Sequence, residues 1–197
     1  MNFCSKTKNE KIENEKDKLL SLIKKNALRF GDFVLASGAR SNYYIDARMI
    51  TLDAEGSYLV AKLILKMLEN VEVDSIGGLS IGADPIVSAV STLSFIEGKP
   101  LRGFIVRKEP KKHGTQKWIE GPLRNGDKVA IVDDVVTTGG SILKAIEKVK
   151  EYDCKIVKII SIVDRNSGLE NKLKDQGYTY EPIFCLKDLG IDNKVHK

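Results

Sequence analysis

The chain has 197 residues, enough for one well-buried α/β domain with a small accessory lobe, and its 42% hydrophobic and 30% charged content is that of an ordinary globular protein. No apolar run approaches the roughly 20 residues needed to cross a membrane, and the opening MNFCSKTKNEKIENEKDK, which mixes Lys with Glu, is not a secretory signal. The formal charge of +5 suits phosphate-rich ligands, but the lysines are spread along the chain and do not single out nucleic acid. Cys4, Cys154 and Cys185 are odd in number and far apart, which reads as free thiols in a reducing cytoplasm.

Residues 1–17 are polar. From about Asn14 to Arg29 the apolar positions Leu19, Leu20, Ile23, Ala27 and Leu28 keep a helical period and predict an amphipathic helix. Two short runs, Phe33–Leu35 and Tyr43–Asp46, flank a Ser-Gly turn and predict a hairpin. A second helix is expected over Ser57–Leu68, then a first core strand over Val73–Gly78. This strand ends in Gly77-Gly-Leu-Ser-Ile-Gly-Ala-Asp-Pro85 ahead of a helix over Ile86–Ile96. That turn is neither the G-x-G-x-x-G fingerprint nor a P-loop, because no G-K-[ST] follows, yet it presents backbone N–H groups. Leu101–Val106 predicts the next strand. It runs into Arg107-Lys-Glu-Pro-Lys-Lys-His-Gly-Thr-Gln-Lys117, which has no apolar anchor before Trp118 and reads as a mobile basic loop or a solvated charged face.

The most informative stretch is Lys128–Ile142. Four apolar residues, Val129–Val132, predict a buried parallel strand, followed by Asp133, Asp134, a Thr-Thr-Gly-Gly-Ser loop, and a helix starting at or just after Gly140. A glycine-rich loop at a helix N-terminus binds anions through N–H groups and the helix dipole. The hydroxyls of Thr137, Thr138 and Ser141 add donors. The two aspartates suit a ligand with hydroxyls and a divalent cation, such as a ribose carrying phosphates; the plain alternative is that they only cap the helix. Lys155–Val163 predicts a further core strand ending in Asp164-Arg-Asn-Ser-Gly168. An arginine at that edge suits bidentate capture of a carboxylate, or an ion pair with Asp164 or Glu170. A short helix (Leu169–Gln176), a last strand (Tyr178–Phe184) and a helical turn (Leu186–Gly190) complete the chain.

The strand–DD–TTGGS–helix string resembles the diphosphate-ribose signature of the phosphoribosyltransferases, which bind 5-phosphoribosyl 1-diphosphate (PRPP). Two further patterns are similar to the orotate phosphoribosyltransferases: L-x-S-G-x-x-S-x-Y-Y-x-D over Leu35–Asp46, and R-K-x-x-K-x-H-G over Arg107–Gly114. The resemblance covers roughly residues 28–170. It implies an α/β fold, a Rossmann-like core of parallel sheet flanked by helices with a small N-terminal hood lobe, arranged as one domain over 1–197 (hood about 14–56, core about 57–185).

The implied activity is transfer of the 5-phosphoribosyl group from PRPP to orotate, giving orotidine 5′-phosphate and pyrophosphate. The resemblance assigns Arg107, Lys108, Lys111 and His113 to a catalytic loop over the pyrophosphate. It assigns Asp133, Asp134, Val135, Val136, Thr137, Thr138, Gly139, Gly140 and Ser141 to PRPP, and Thr137 and Arg165 to orotate. Mg2+ would meet Asp133 and Asp134 mainly through PRPP and water. The family pattern also implies a cytoplasmic homodimer sharing the catalytic loop across its interface, with no nucleic-acid or membrane partner. Ala36 and Gly82 depart from the pattern, standing where some relatives carry lysine. A phosphoribosyltransferase for another base, or a PRPP-sensing regulator that binds nucleic acid, are the competing readings.

Overall fold

The computed structural model describes residues 3–34, 40–110 and 117–191, with side chains from residue 13 onward. The polar start and the amphipathic segment join in one helix, α1 (Phe3–Leu22), which passes into a π-helical turn over Ile23–Ala27. Leu19, Ile23 and Ala27 are its buried stripe, as the helical period requires. Leu28 takes extended backbone (φ −87°, ψ 129°). Leu28 and Arg29, expected to finish the helix, therefore open β1 (Leu28–Val34), which pairs antiparallel with β2 (Arg40–Ile45). Aromatic Phe30 and Phe33 favour the strand, and a bond from Asp46 N–H to the Ala27 carbonyl (3.0 Å) closes the hairpin's base. The Ser-Gly turn of this hairpin, including Ala36, lies outside the described residues.

A short helix α2 (Arg48–Thr51) leads to α3 (Ala54–Met67), whose start is fixed by the Asp53 carboxylate accepting from Gly56 N–H at 2.8 Å. The core sheet has six strands: β3 (Ser75–Leu79), β4 (Arg102–Val106), β5 (Ile119–Glu120), β6 (Lys128–Val136), β7 (Lys155–Asp164) and β8 (Tyr180–Cys185). Their order is β5-β4-β3-β6-β7-β8, parallel throughout except for β5, which runs antiparallel to β4 at the edge. Helices α4 (Ala83–Ile96), α5 (Gly140–Lys150) and α6 (Leu169–Lys174) complete the α/β architecture expected from the sequence.

Alternation along β6 shows why its sequence is apolar on both sides. Ala130 and Val132 join one core with α1, α3 and α4, while Val129 and Ile131 join a second with α5 and α6. Each fully buried aliphatic side chain contributes roughly 1.5–3 kcal/mol of hydrophobic stabilisation. The strand also runs further than its apolar stretch. Asp133, Val135 and Val136 keep register with Ser161, Val163 and Asp164 of β7, so the carboxylates interrupt the hydrophobic pattern without ending the ladder. The chain crosses from sheet to helix only at Thr137–Gly139.

Candidate active site

Parallel strands place their C-terminal ends along one edge, where α/β proteins bind ligands. The turn after β3, the segment after β4, the carboxylates of β6 and the arginine after β7 all meet at that edge. A bond from Ser80 N–H to the Val106 carbonyl (2.8 Å) joins the first two, and one from Arg165 N–H to the Val136 carbonyl (2.9 Å) joins the last two.

Asp133 is 6% exposed, and its Oδ1 accepts from Asp134 N–H at 3.1 Å. Burial, and then the charge of Asp134 beside it, pushes its carboxyl up to about 7. Burial raises Asp134 as well, against a 2.7 Å hydrogen bond that its Oδ1 accepts from Val135 N–H. Two adjacent carboxylates held against their own ionisation create a demand for cationic ligands. Among the described residues no group of three His, Cys, Asp or Glu side chains is gathered to hold a metal ion.

Val136 is fully buried and Val135 packs against the core, so only their backbones can face a ligand. Beyond them Thr137, Thr138 and Gly140 are exposed and Ser141 is half-buried, at the N-terminus of the eleven-residue α5. Gly139 makes this turn possible: its φ is +80°, and a Cβ there would stand 2.5 Å from the buried Leu169 side chain. Gly82 opens α4 directly opposite, where a Cβ would stand 2.6 Å from Asp134 Oδ1.

Of the basic loop, Arg107 and Lys108 are described, while Lys111 and His113 lie outside the described residues. Arg107 closes the loop's stem through its N–H to the Trp118 carbonyl (2.8 Å), and its guanidinium reaches Glu120 at 3.4 Å. The Lys108 carbonyl accepts from Lys144 Nζ on α5 at 2.5 Å. Lys144 and Lys148 both stand over the Trp118 ring, at 5.1 and 4.4 Å from its centroid. The two-residue strand β5, too short to register as a run in the sequence, creates this stem.

Arg165 is half-buried, and its side chain bonds neither Asp164 nor Glu170. Nε donates to Tyr43 Oη at 3.0 Å and Nη2 to Ser41 Oγ at 3.3 Å, with the guanidinium over the Tyr43 ring. Tyr43 and Ser41 belong to the S-x-Y-Y pattern, but nothing in the pattern's spacing pairs them with a residue more than 120 positions away.

A cavity of about 590 Å3 lies away from this edge, lined by Lys62, Leu65, Lys66, Val71, Glu97 and Leu101 among others. Two of its ammonium groups are already paired, Lys62 with Glu97 and Lys66 with Glu69.

A parallel sheet that carries paired carboxylates into a hydroxyl- and glycine-rich helix start defines the phosphoribosyltransferase class. A family model described as phosphoribosyl transferase domain matches residues 51–183. The chain is 41% identical over 178 residues to the orotate phosphoribosyltransferase of Aquifex aeolicus, covering 89% of this chain and 97% of that one. It is 44% identical to the Synechocystis enzyme of the same name, over 87% and 86% of the two chains. Among solved structures, orotate phosphoribosyltransferase from Mycobacterium tuberculosis superposes with a TM-score of 0.81 at 33% identity, over 90% of this chain and 99% of that chain. The same enzyme in complex with PRPP superposes at 0.76 and 30% identity, with the same coverage. The chain belongs to the orotate phosphoribosyltransferase family.

Proposed function

We propose that this protein transfers the 5-phosphoribosyl group of PRPP to N1 of orotate in pyrimidine biosynthesis, releasing pyrophosphate and forming orotidine 5′-phosphate. In this reaction the bond from C1 to the pyrophosphate oxygen breaks and a C1–N1 bond forms, with loss of the N1 proton. Positive charge grows on the ribose ring and negative charge on the leaving oxygen. Catalysis then requires carboxylates near the sugar and cations near the pyrophosphate.

One observation carries the reading: Asp133 and Asp134 lie near the C-terminal end of β6, just ahead of the turn that exposes Thr137, Thr138 and Gly140, and the Arg165 N–H bonds the Val136 carbonyl between them. In this reading the turn and Ser141 hold the 5′-phosphate through N–H groups and hydroxyls, and Val135 and Val136 contribute backbone only. The carboxylates bind the ribose hydroxyls, and Arg165, with Thr137, receives orotate. Arg107, Lys108, Lys111 and His113 close over the pyrophosphate and exclude water, which matters because hydrolysis of PRPP is the competing reaction.

The donor set suits Mg2+. Two adjacent carboxylates with raised affinity for protons, and no third protein ligand among the described residues, fit a cation held mainly by substrate phosphates and water. Such an ion neutralises charge on the pyrophosphate. We take residues 1–197 as one domain, with a hood of about 14–56 over a core of about 57–185. We also place the enzyme in the cytoplasm as a homodimer whose basic loop serves the neighbouring site; no helix of the described residues is long and apolar enough to cross a membrane.

The test is the absorbance change of orotate on mixing protein, PRPP and Mg2+, with uracil and hypoxanthine in parallel and EDTA as control. Metal-dependent consumption of orotate alone supports the reading. Turnover of another base keeps the chemistry and overturns the Arg165 assignment. PRPP-dependent thermal stabilisation with no turnover points instead to a PRPP-sensing regulator.

A further inference from the structure

Tyr43 and Ser41 are 8% and 3% exposed, and both place a side-chain oxygen on the guanidinium of Arg165. Each oxygen can accept a bond from the guanidinium. The Ser41 hydroxyl donates to the Tyr43 carbonyl at 2.7 Å and accepts from the Tyr43 N–H at 3.4 Å, which leaves one lone pair for Nη2. The one carboxylate next to Arg165 in sequence does not compete. Asp164 accepts instead from Ser167 N–H (2.9 Å), Ser167 Oγ (3.2 Å) and Tyr180 Oη (3.1 Å).

Guanidinium geometry decides what is left for a ligand. The Nε hydrogen and one Nη2 hydrogen run parallel along one edge of the plane, and the hairpin's two oxygens occupy that edge. The other parallel pair lies along the outer edge, between Nη1 and Nη2. Cζ stands 4.4 Å from the centroid of the Tyr43 ring, so the plane itself is fixed from one face.

We infer that Tyr43 and Ser41 are positioning residues that hold Arg165 with its outer guanidinium edge presented, so that the substrate's carboxylate is received end-on and bidentate. The inference rests on the proposed role of Arg165 as the orotate carboxylate's partner. It gives the N-terminal hairpin a part in base specificity that acts through the arginine: a planar ring bearing a carboxylate in its own plane meets two matched donors, and a base without one leaves them unpaired. Lysine could not replace the arginine, because a point charge has no edge to orient.

The experiment uses the full chain and steady-state kinetics in both substrates for Tyr43→Phe, Ser41→Ala, Arg165→Ala and the double variant Tyr43→Phe/Arg165→Ala. Tyr43→Phe keeps the ring and removes one acceptor from a charged donor. The expected result is a rise in KM for orotate of about tenfold, with KM for PRPP and kcat within about threefold and an unchanged melting temperature. Ser41→Ala is expected to give a smaller rise in the same parameter, and it carries the test if Tyr43→Phe fails to fold. In the Arg165→Ala background the Tyr43→Phe effect should vanish, because it acts through the guanidinium. Losses that multiply in the double variant overturn the positioning role, as does a silent Tyr43→Phe beside a damaging Arg165→Ala. If Arg165→Ala leaves KM for orotate unchanged, the carboxylate assignment itself falls.

Discussion

Gly82→Ala separates the demands of helix and site, because the two predict opposite effects. Gly82 has φ −62° and ψ −40° ahead of α4, a conformation any residue adopts. On helix propensity alone, alanine there would stabilise by up to about 1 kcal/mol. Its Cβ, however, would stand 2.6 Å from Asp134 Oδ1 and 2.8 Å from Cγ. Asp134 is a short side chain held by the Val135 N–H at 2.7 Å, so it yields only by giving up that bond. A hydrogen bond to a charged group contributes roughly 1.5–3 kcal/mol, and about 1.4 kcal/mol is a factor of ten.

The expected outcome is a melting temperature within a few degrees of the parent and kcat/KM for PRPP reduced about 10- to 100-fold, read in the orotate absorbance assay at varied PRPP. KM for orotate at saturating PRPP should change far less. Gly82→Lys, which restores the residue carried by some relatives, should be at least as damaging, because its Cβ meets the same carboxylate before its ammonium can reach a phosphate. An alanine variant with the parent's kcat/KM for PRPP would refute the reasoning, showing either that the carboxylate moves freely or that its position is immaterial to PRPP.

Asp133 makes the metal-free, substrate-free protein pH-sensitive in a stated direction. With its carboxyl raised to about 7 by burial and by Asp134, the folded state keeps a proton that the unfolded chain has lost above about pH 4. This contribution is therefore fully present at low pH and disappears as pH rises through 7, at up to about 1.4 kcal/mol per unit. Asp133→Asn should flatten that slope in urea unfolding between pH 5 and 8 and raise stability at pH 8 while impairing turnover; an unchanged slope would remove the effect from this residue. Lys144→Met deletes the donor to the Lys108 carbonyl and one of the cations over Trp118, the chain's single tryptophan. It should alter the protein's tryptophan emission and lower kcat about 3- to 10-fold, and an unchanged kcat would reduce the contact to surface packing. On the proposed role of Lys111, whose charge would act on the leaving group, Lys111→Ala should lower kcat far more than it weakens PRPP binding, and equal loss in both would argue against that role.

How much of this was legible in the chain follows from the range of the interactions. The 128–142 stretch declared itself because a buried strand, a positive-φ glycine and a helix start are each local. What the sequence obscured was where β6 stops. Asp133 and Asp134 break the apolar pattern, yet their backbones stay in register with β7, and a ladder is invisible to side-chain periodicity. The crowding of Gly82 by Asp134 and the bonding of Tyr43 and Ser41 to Arg165 are contacts across strands and across the whole chain. No periodicity or motif spacing encodes them: the pairing of β3 with β6 brings Gly82 to Asp134, and the separate β1-β2 hairpin meets Arg165 beyond the end of β7.

That strand order also explains why the site is costly to the fold. Because β6 is central and covered on both faces, its C-terminal residues are desolvated whatever they are, and carboxylates there destabilise the protein until something cationic compensates them. An apolar pair in their place would extend the two cores already built from Val129–Val132 and Val135–Val136. The same burial that makes Asp133 hold its proton makes it respond strongly to charge on a bound ligand, since the local dielectric weakens both water's competition and its screening. A pair placed in solvent would cost nothing and discriminate little between an uncharged sugar and a ribose ring gaining positive charge. Stability lost at the end of β6 and sensitivity to transition-state charge are therefore two consequences of one placement, and substitutions that recover the first should forfeit the second.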